Sequence, residues 1–285
     1  MTCGRDTRFI EVDGLSMRVM ARNLSGGGIP LLILNGLGQS IEILVPLMQE
    51  LGDRPVVVFD MPGVGLSQMS EEPLGIPQYA QVAQGVLDEL EVGSFDVLGI
   101  SWGGGIAQQL AYDFPDRCRR LILAVTSAGG LVSWWGSPIA LGEIMFPLRF
   151  TSRAYGNLVG PLMYGGDAVT NPKLFREYSK HARHPTPAGY FSQVRALCSW
   201  TSVHWLHQIE QPTLVIAGTC DTLIPFPNQL LLAQSIPGAE MRVFAAGHLL
   251  LFSRRQEVGE LITRFLEQTP ASPTYRSRGK AAASP

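Results

Sequence analysis

The chain has 285 residues, of which 46% are hydrophobic and 16% charged, and its formal net charge at pH 7 is −2. This composition supplies a substantial apolar core and excludes a dominant electrostatic attraction to nucleic acid or to an anionic membrane. The N-terminus is too polar for a signal peptide, and the cysteines are too scattered for a zinc site or a disulfide framework, which together predict a cytoplasmic protein. These cysteines are Cys3, Cys118, Cys198 and Cys220.

Short apolar runs alternate with amphipathic segments along most of the chain. The first two runs, 8–12 and 15–21, flank the dipeptide Asp13-Gly14, which is typical of a two-residue hairpin turn. Further strands are predicted at 30–34, 56–60, 95–100, 121–125, 213–217 and 241–244. Helices are predicted at 77–91, 104–113, 227–235 and 255–267. Continuous apolarity indicates strands covered on both faces, so we expect an α/β fold with a mostly parallel, doubly wound sheet.

The alternation is interrupted once, because nearly ninety residues after Val125 contain no pattern typical of a buried strand. We therefore predict a core made of residues 1–130 and 206–268, with residues 131–205 inserted as a mainly helical cap over the carboxyl edge of the sheet. Residues 131–150 are strongly apolar, but prolines and charges interrupt them, so no membrane span is expected. The basic tail 269–285 lacks apolar periodicity and is predicted to be disordered.

A single G-x-S-x-G pattern occurs within the sequence LGISWGGG at 98–105. It follows a predicted buried strand and opens a predicted helix, which is the context of a nucleophile elbow. Small residues on either side of Ser101 let the strand and the helix approach closely around a sharp turn. Since chance alone produces such a motif in a glycine-rich chain, the strand–helix context carries the interpretation of Ser101 as a nucleophile.

A serine nucleophile needs a base and an acid from other loops at the same sheet edge. His248 lies between the last predicted strand and the last helix, and Asp221 follows the strand at 213–217. The order Ser101, Asp221, His248 is the α/β-hydrolase order. The turn after 121–125 holds no acid, and Asp60 is interpreted as a loop organiser. The other histidines are interpreted as surface or packed residues: His181, His184, His204 and His207.

An oxyanion formed at Ser101 needs two backbone donors. We expect the amide of Trp102 and the amide of Leu37, in the loop Asn35-Gly36-Leu37-Gly38, although that loop could also be a simple turn. The sequence contains no phosphate-binding loop, complete dinucleotide fingerprint or cluster with metal-ligand spacing. Neither a cofactor nor a metal is therefore expected.

Several segments together resemble one family, the intracellular medium-chain-length poly(3-hydroxyalkanoate) depolymerases. These are the elbow with its following helix, ILNGLG, FDMPGVGLS, WTSVHWLHQIEQPTLVIAG, the YGG at 164–166 and GHLLLFSR, within a likeness that extends over residues 8–267. The resemblance implies an α/β-hydrolase fold and assigns the triad roles to Ser101, Asp221 and His248. The chain departs from the family pattern at Thr219 and Cys220, and at Ala246 where aspartate is usual.

These observations predict a serine hydrolase that cleaves ester bonds of a polyester through an acyl-enzyme. The partner is then a hydrophobic polyester or the surface of its granule. Candidate residues for an alkyl groove or an adhesive face, which ordinary packing explains equally well, are Trp134, Trp135, Met145 and Phe146. Two alternatives stay open: an acyltransferase or soluble carboxylesterase with the same triad, and a non-catalytic granule-binding module. The polymer side-chain length, the products and the oligomeric state are not determined by the sequence.

Overall fold

The computed structural model describes residues 7–130, 133–183 and 185–268, so Cys3, His184 and the predicted tail 269–285 lie outside it. Within these ranges the strands are β1 (Thr7–Val12), β2 (Leu15–Arg22), β3 (Leu31–Leu34), β4 (Val56–Phe59), β5 (Phe95–Ile100), β6 (Cys118–Ala124), β7 (Thr213–Gly218) and β8 (Glu240–Phe244). They form one sheet in the order β1-β2-β4-β3-β5-β6-β7-β8. The antiparallel pairs are β1 with β2 and β2 with β4, and the remaining pairs are parallel.

The hairpin between β1 and β2 turns at the predicted dipeptide. Asp13 and Gly14 both have a positive φ, 49° and 76°, as a type I′ turn requires. The pairing register runs from Thr7 opposite Met20 to Val12 opposite Leu15. This two-residue turn therefore fixes the only antiparallel hairpin among the described strands.

Helices cover both faces of the sheet and cap its carboxyl edge. They are α1 (Val45–Glu50), α2 (Ile76–Glu89), α3 (Trp102–Asp113), α4 (Pro138–Met145), α5 (Arg153–Tyr164), α6 (Asp167–Thr170), α7 (Pro172–His181), α8 (Pro187–Cys198), α9 (Phe226–Ser235), α10 (Leu250–Ser253) and α11 (Arg255–Glu267). One core cluster joins the sheet to α2, α3 and α9, and a second joins it to α1, α10 and α11. The predicted doubly wound α/β fold is confirmed.

Side chains along β6 point alternately to the two faces of the sheet, so this strand contributes to both core clusters. Leu121 and Leu123 pack into the first cluster, whereas Ile122 and Ala124 pack into the second. All four are fully buried, because neighbouring strands and helices cover them on both faces. A strand in this position needs apolar residues at every step, which explains the continuous apolar run in the sequence.

Two of the predicted elements begin two or more residues earlier than expected. Helix α3 begins at Trp102, two residues earlier than predicted, because its three glycines lower helix propensity while close packing requires them. Strand β6 begins at Cys118, three residues early, since two arginines interrupt the apolar run. Arg119 pairs with the buried Asp96 on β5, and the guanidinium of Arg120 lies over the ring of Phe265.

The segment between β6 and β7 forms no strand in its described residues and contains α4 to α8. These helices fall within the predicted cap, whose boundaries at 131 and 205 stay a prediction. None of the helices in the described ranges combines the length and the apolarity that a bilayer crossing needs.

Asp60 joins the loops that follow β3 and β4. Its carboxylate accepts the amide of Ile41 at 2.8 Å, the amide of Leu66 at 3.0 Å and the guanidinium of Arg18 at 3.1 Å. The group is fully buried, and this burial raises its pKa against the opposing effect of these donors. The interpretation of Asp60 as a loop organiser is therefore confirmed.

Candidate active site

Ser101 lies at the sharp turn between β5 and α3, with φ 53° and ψ −119°. A residue with a side chain rarely adopts this conformation, which costs about 1–3 kcal/mol and persists only where neighbours impose it. The amide of Ser101 donates to the carbonyl of Ala124 at 2.9 Å, and its carbonyl accepts the hydroxyl of Thr126 at 2.6 Å. The end of β6 thus holds the turn from both sides.

Gly103 shows why the second glycine of the motif cannot carry a side chain. A Cβ built at this position would lie 2.3 Å from the carbonyl oxygen of Leu34, at the end of β3. The first turn of α3 therefore packs directly against the backbone of β3. This close approach places Ser101 beside the loop that follows β3.

His248 and Asp221 continue a hydrogen-bonded chain from Ser101. The Nε2 atom of His248 lies 2.9 Å from the Ser101 Oγ, and its Nδ1 lies 2.7 Å from Oδ2 of Asp221. The other carboxylate oxygen of Asp221 accepts the amides of Leu223 at 2.9 Å and Ile224 at 2.8 Å. The Asp221 side chain is completely buried and that of His248 is 7% exposed. The carboxylate is thus fixed in orientation and can hold the imidazole in one tautomer.

Thr219, Cys220 and Ala246 depart from the family pattern. They lie where the loops of Asp221 and His248 meet. The amide of Cys220 donates to the carbonyl of Ala246 at 3.0 Å, and the amide of Thr219 donates to the carbonyl of Phe244, also at 3.0 Å. These are main-chain contacts, which different side chains can support equally well. The substitutions therefore leave the two loops side by side.

The loop after β3 is a turn, closed by a bond from the Gln39 amide to the Gly36 carbonyl at 3.1 Å. Gly38, its third residue, has a φ of +68°, as in a type II turn. Asn35 braces the loop, since its side chain accepts the amide of Gly36 and donates to the carbonyl of Ser40. The sequence left open whether this segment is a turn or a donor loop, and its turn geometry is compatible with both.

The amides of Leu37 and Trp102 are both available for a bound group. Each residue lines the cavity in front of Ser101. In the described ranges, no backbone hydrogen bond of a turn, loop or helix cap has either amide as its donor. Two backbone donors without a partner at a nucleophile elbow are what an oxyanion site requires.

The cavity in front of Ser101 has predominantly apolar walls. The core contributes two groups of apolar residues, one from the loop after β3 with α1 and one from the loops after β7 and β8: Ile43, Leu44, Leu47, Leu223, Ile224, Leu249, Leu251 and Phe252. The cap contributes residues from four helices and one short turn: Ile144, Arg149, Met163, Tyr164, Tyr178 and Leu197. Such a cavity suits an aliphatic group near the reacting carbonyl.

The four cap residues predicted for the groove are not in this cavity. All are at least half exposed at the surface, and none is among its lining residues: Trp134, Trp135, Met145 and Phe146. They therefore do not form the wall of this cavity, and their role as substrate-binding residues stays a prediction. Ile144 is the α4 residue that lines the wall instead, while its neighbour Met145, the last residue of the helix, faces outward. Apolarity alone could not distinguish the two helix faces.

Tyr164 is a site residue that the sequence analysis did not single out, although it begins the YGG block of the resemblance. Its carbonyl accepts the amide of His248 at 2.8 Å, and its ring stacks on the imidazole with centroids 5.8 Å apart. Tyr178 lies beside it and accepts a hydrogen bond from Gln39. Burial raises the pKa of Tyr178 well above its usual value, and Tyr164 acts in the same direction, so the phenol stays protonated near neutral pH.

The remaining histidines take no part in this arrangement as far as the structure describes them. Of the described histidines, only His248 lines the cavity. His181 ends α7 with its ring 6.1 Å from that of Phe252. In the described ranges, no three His, Cys, Asp or Glu side chains come together in a group that could hold a metal ion.

Comparison with known proteins agrees with this geometry. The family model described as alpha/beta hydrolase fold matches residues 29–254. The chain belongs to the α/β-hydrolase family. A protein named poly(3-hydroxyalkanoate) depolymerase from Ectopseudomonas oleovorans is 40% identical over 262 residues, which cover 92% of each chain. This relative confirms the resemblance drawn from the sequence motifs, and together with the fold it makes the chain an ester hydrolase.

More distant relatives share the fold with other activities in their names. A 2-hydroxymuconate semialdehyde hydrolase from Pseudomonas sp. (strain CF600) is 31% identical, covering 87% of this chain and 90% of its own. The solved structure of MGS-M2, an alpha/beta hydrolase enzyme from a Medee basin deep-sea metagenome library, superimposes with a TM-score of 0.80 at 20% identity. That match covers 94% of this chain and all of the other. This last likeness shows the fold alone.

The contact between the cap and the His248 loop gives a stability prediction. Gly166 has a φ of +51°, and a Cβ there would lie 2.1 Å from the amide nitrogen of Gly247. We expect Gly166→Ala to lower the free energy of unfolding by about 1–3 kcal/mol, from backbone strain and overpacking. Denaturant unfolding measures this change. Gly142→Ala is the matched control, because a Cβ there meets nothing within 4 Å. Equal stability of the two variants would contradict the contact.

Proposed function

We propose that this enzyme hydrolyses the ester bonds of a poly(3-hydroxyalkanoate), with Ser101 as nucleophile, His248 as base and Asp221 as the orienting acid. The hydrogen-bonded chain of these three side chains, in front of an apolar cavity, is the observation that carries the proposal. The depolymerase relative at 40% identity supports the substrate class. The same three side chains support a route through an acyl-enzyme.

In the first half-reaction the hydroxyl of Ser101 attacks the ester carbonyl. His248 accepts the hydroxyl proton at Nε2 while its Nδ1–H remains hydrogen-bonded to Asp221, which stabilises the imidazolium. The carbonyl oxygen becomes an oxyanion facing the amides of Leu37 and Trp102. As the tetrahedral intermediate collapses, its bond to the departing 3-hydroxyl oxygen breaks, and His248 returns the proton to that oxygen. An acyl-enzyme and a shortened chain with a free hydroxyl result.

In the second half-reaction water takes the place of the departed chain. His248 removes a proton from this water as its oxygen attacks the acyl carbonyl, and the same two amides hold the second oxyanion. The bond to the Ser101 oxygen then breaks, and His248 returns the proton to it. A 3-hydroxyacid or an oligomer leaves, and the enzyme regains its starting protonation without a metal or an organic cofactor.

The lining of the cavity favours a substrate with an alkyl branch of medium length. Apolar side chains lie in the wall next to His248, including Leu249, Leu251 and Phe252. Each methylene moved from water into such surroundings contributes about 0.8 kcal/mol. A medium-length alkyl branch therefore gains more from this cavity than the methyl branch of the shortest polyesters.

Exposed apolar side chains are concentrated on the cap, which supports contact with a hydrophobic polymer granule. Among the described residues, ten of the fifteen exposed large apolar side chains lie between positions 134 and 191. They include all four residues first assigned to the groove, and Phe146 and Leu158 are about 70% exposed. Apolar side chains that share one surface patch mark a site of association. Granule binding by the cap and a cytoplasmic location belong to this proposal.

Product analysis tests the polyester assignment. Wild-type enzyme incubated with medium-chain granules should release 3-hydroxyacids or oligomers. Ser101→Ala should remove this activity, and Asp221→Asn should lower kcat about 10⁴-fold by favouring the wrong tautomer of His248. Turnover of soluble esters or acyl thioesters alone, with granules untouched, would support a carboxylesterase or an acyltransferase instead. Absence of product from the wild-type protein, with granule binding unchanged in Ser101→Ala, would support the non-catalytic granule-binding module.

Surface variants of the cap test how the polymer is engaged. We expect Phe146→Ser combined with Leu158→Ser to slow granule hydrolysis several-fold, because each change removes exposed apolar area. Hydrolysis of a soluble medium-chain ester by the same protein provides the comparison. Phe9→Ser is the matched control, since Phe9 is 57% exposed on β1 and lies outside the predicted cap. An equal loss with granules and soluble ester, or with the control, would contradict the assignment.

A further inference from the structure

Gln193 in α8 is a buried cap residue. It contacts both backbone segments that carry the free amides, one at Leu37 and one at Trp102. Its Oε1 accepts the amide of Gly38 at 2.7 Å, and its main-chain carbonyl accepts the indole N–H of Trp102 at 3.0 Å. Only 1% of the residue is exposed, and it is not among the lining residues of the cavity. Neither the motif analysis nor the family relationship assigned it a part in the reaction.

The two contacts reach the backbone segments that carry the donors. Leu37 directly precedes Gly38 in the turn, so fixing the Gly38 amide restricts the peptide plane next to the Leu37 donor. Trp102 supplies the other donor through its own amide, while its indole is held by Gln193 and packs edge-on against Tyr79 at 4.9 Å. One residue of the cap thus restrains both halves of the oxyanion site.

Helix α8 is itself firmly attached to the core, which makes it a suitable anchor. The hydroxyl of Thr186, at its N-terminus, donates to the carbonyl of Gly63 at 3.0 Å. The hydroxyls of Tyr79 and Ser192 lie 3.3 Å apart, and a Cβ on Gly38 would meet the ring of Tyr190 at 3.0 Å. The loop after β3 therefore rests on the cap over more than one contact.

We propose that Gln193 is a positioning residue for ester hydrolysis, which sets the oxyanion donors through the Gly38 amide and the Trp102 indole. A donor stabilises the transition state fully only when its orientation is fixed before the reaction. Loss of the Gln193 acceptor leaves both donors in place and frees the turn that carries one of them. This loss raises the free energy of the transition state more than that of the bound substrate. This inference rests on the proposed serine mechanism but not on the polymer substrate.

Gln193→Met tests the proposal, because methionine matches glutamine in length and lacks a strong acceptor. With a soluble medium-chain ester we expect kcat to fall about 10-fold to 100-fold with KM within about twofold, less than the 10²–10³ lost when a donor is removed outright. The main-chain bond to Trp102 is retained. Gln211→Met is the matched control, since Gln211 is also buried, bonds the carbonyl of Ala111 and lies outside the cavity.

Two inhibitors separate positioning from general loosening of the structure. A medium-chain trifluoromethyl ketone forms a tetrahedral adduct with the serine, whereas the matching methyl ketone occupies the cavity as a ground-state ligand. In Gln193→Met the trifluoromethyl ketone should lose affinity by the same factor as kcat/KM, with the methyl ketone unchanged. Unchanged kcat, a raised KM alone, or equal weakening of both ketones would overturn the proposal.

Failure of the mechanism and failure of this inference give different results. A wild-type enzyme no more active on the ester than Ser101→Ala would reject the serine mechanism, whereas an active Gln193→Met would reject the inference alone. Hydrogen exchange on the wild-type protein tests the contact even if the variant does not fold. The Gly38 amide should exchange as slowly as the amides within α8, and exchange as fast as an exposed loop would overturn the proposal.

Discussion

The strained backbone of Ser101 is the constraint on which the rest of the site depends. A φ of 53° with a ψ of −119° lifts the hydroxyl out of the sheet edge and turns the chain into α3 within one residue. The cost, about 1–3 kcal/mol, is offset by main-chain contacts to β6 and by the packing of glycine against β3. Because these neighbours are strands in the interior of the sheet, Ser101 is held by the buried core of the fold.

The partners of Ser101 follow from the parallel sheet. Loops after β3, β7 and β8 all open at the carboxyl edge, so residues far apart in the sequence reach the same hydroxyl. Hydrogen bonds to Leu223 and Ile224 orient Asp221, and main-chain bonds between the loops set the distance from Asp221 to His248. The core therefore supplies the reacting groups. The cap supplies much of their immediate surroundings.

Cap residues contact the reacting loops through the main chain as well as covering them. The Tyr164 carbonyl holds the His248 amide, and the Gln193 side chain holds the Gly38 amide. One contact reaches the loop of the proposed base, His248, and the other reaches the loop of a proposed oxyanion donor, Leu37. The same segment carries exposed apolar side chains, so the surface proposed to bind the polymer and the contacts to these two loops belong to one part of the chain.

The sequence predicted the parts of this arrangement that follow a local pattern. Continuous apolar runs predicted the buried strands. Positions directly after a strand predicted Ser101, Asp221 and His248 as site residues. Contacts without such a pattern were not predictable: Gln193 lies 155 residues from Gly38, and neither residue type indicates the pairing. The cap groove was predicted from apolar content, which could not separate the exposed Met145 from its neighbour Ile144, which lines the cavity.

Detection of the acyl-enzyme tests the central claim most directly. Wild-type enzyme mixed with a soluble 3-hydroxyalkanoate oligomer and quenched in acid during turnover should carry a 3-hydroxyacyl ester on the peptide that contains Ser101. The mass increase should match one acyl unit or a short oligomer of it, and it should disappear when the oligomer is exhausted. An unmodified Ser101 peptide throughout turnover, in an assay that detects the adduct of a slow ester substrate, or an adduct on another residue, would contradict the account.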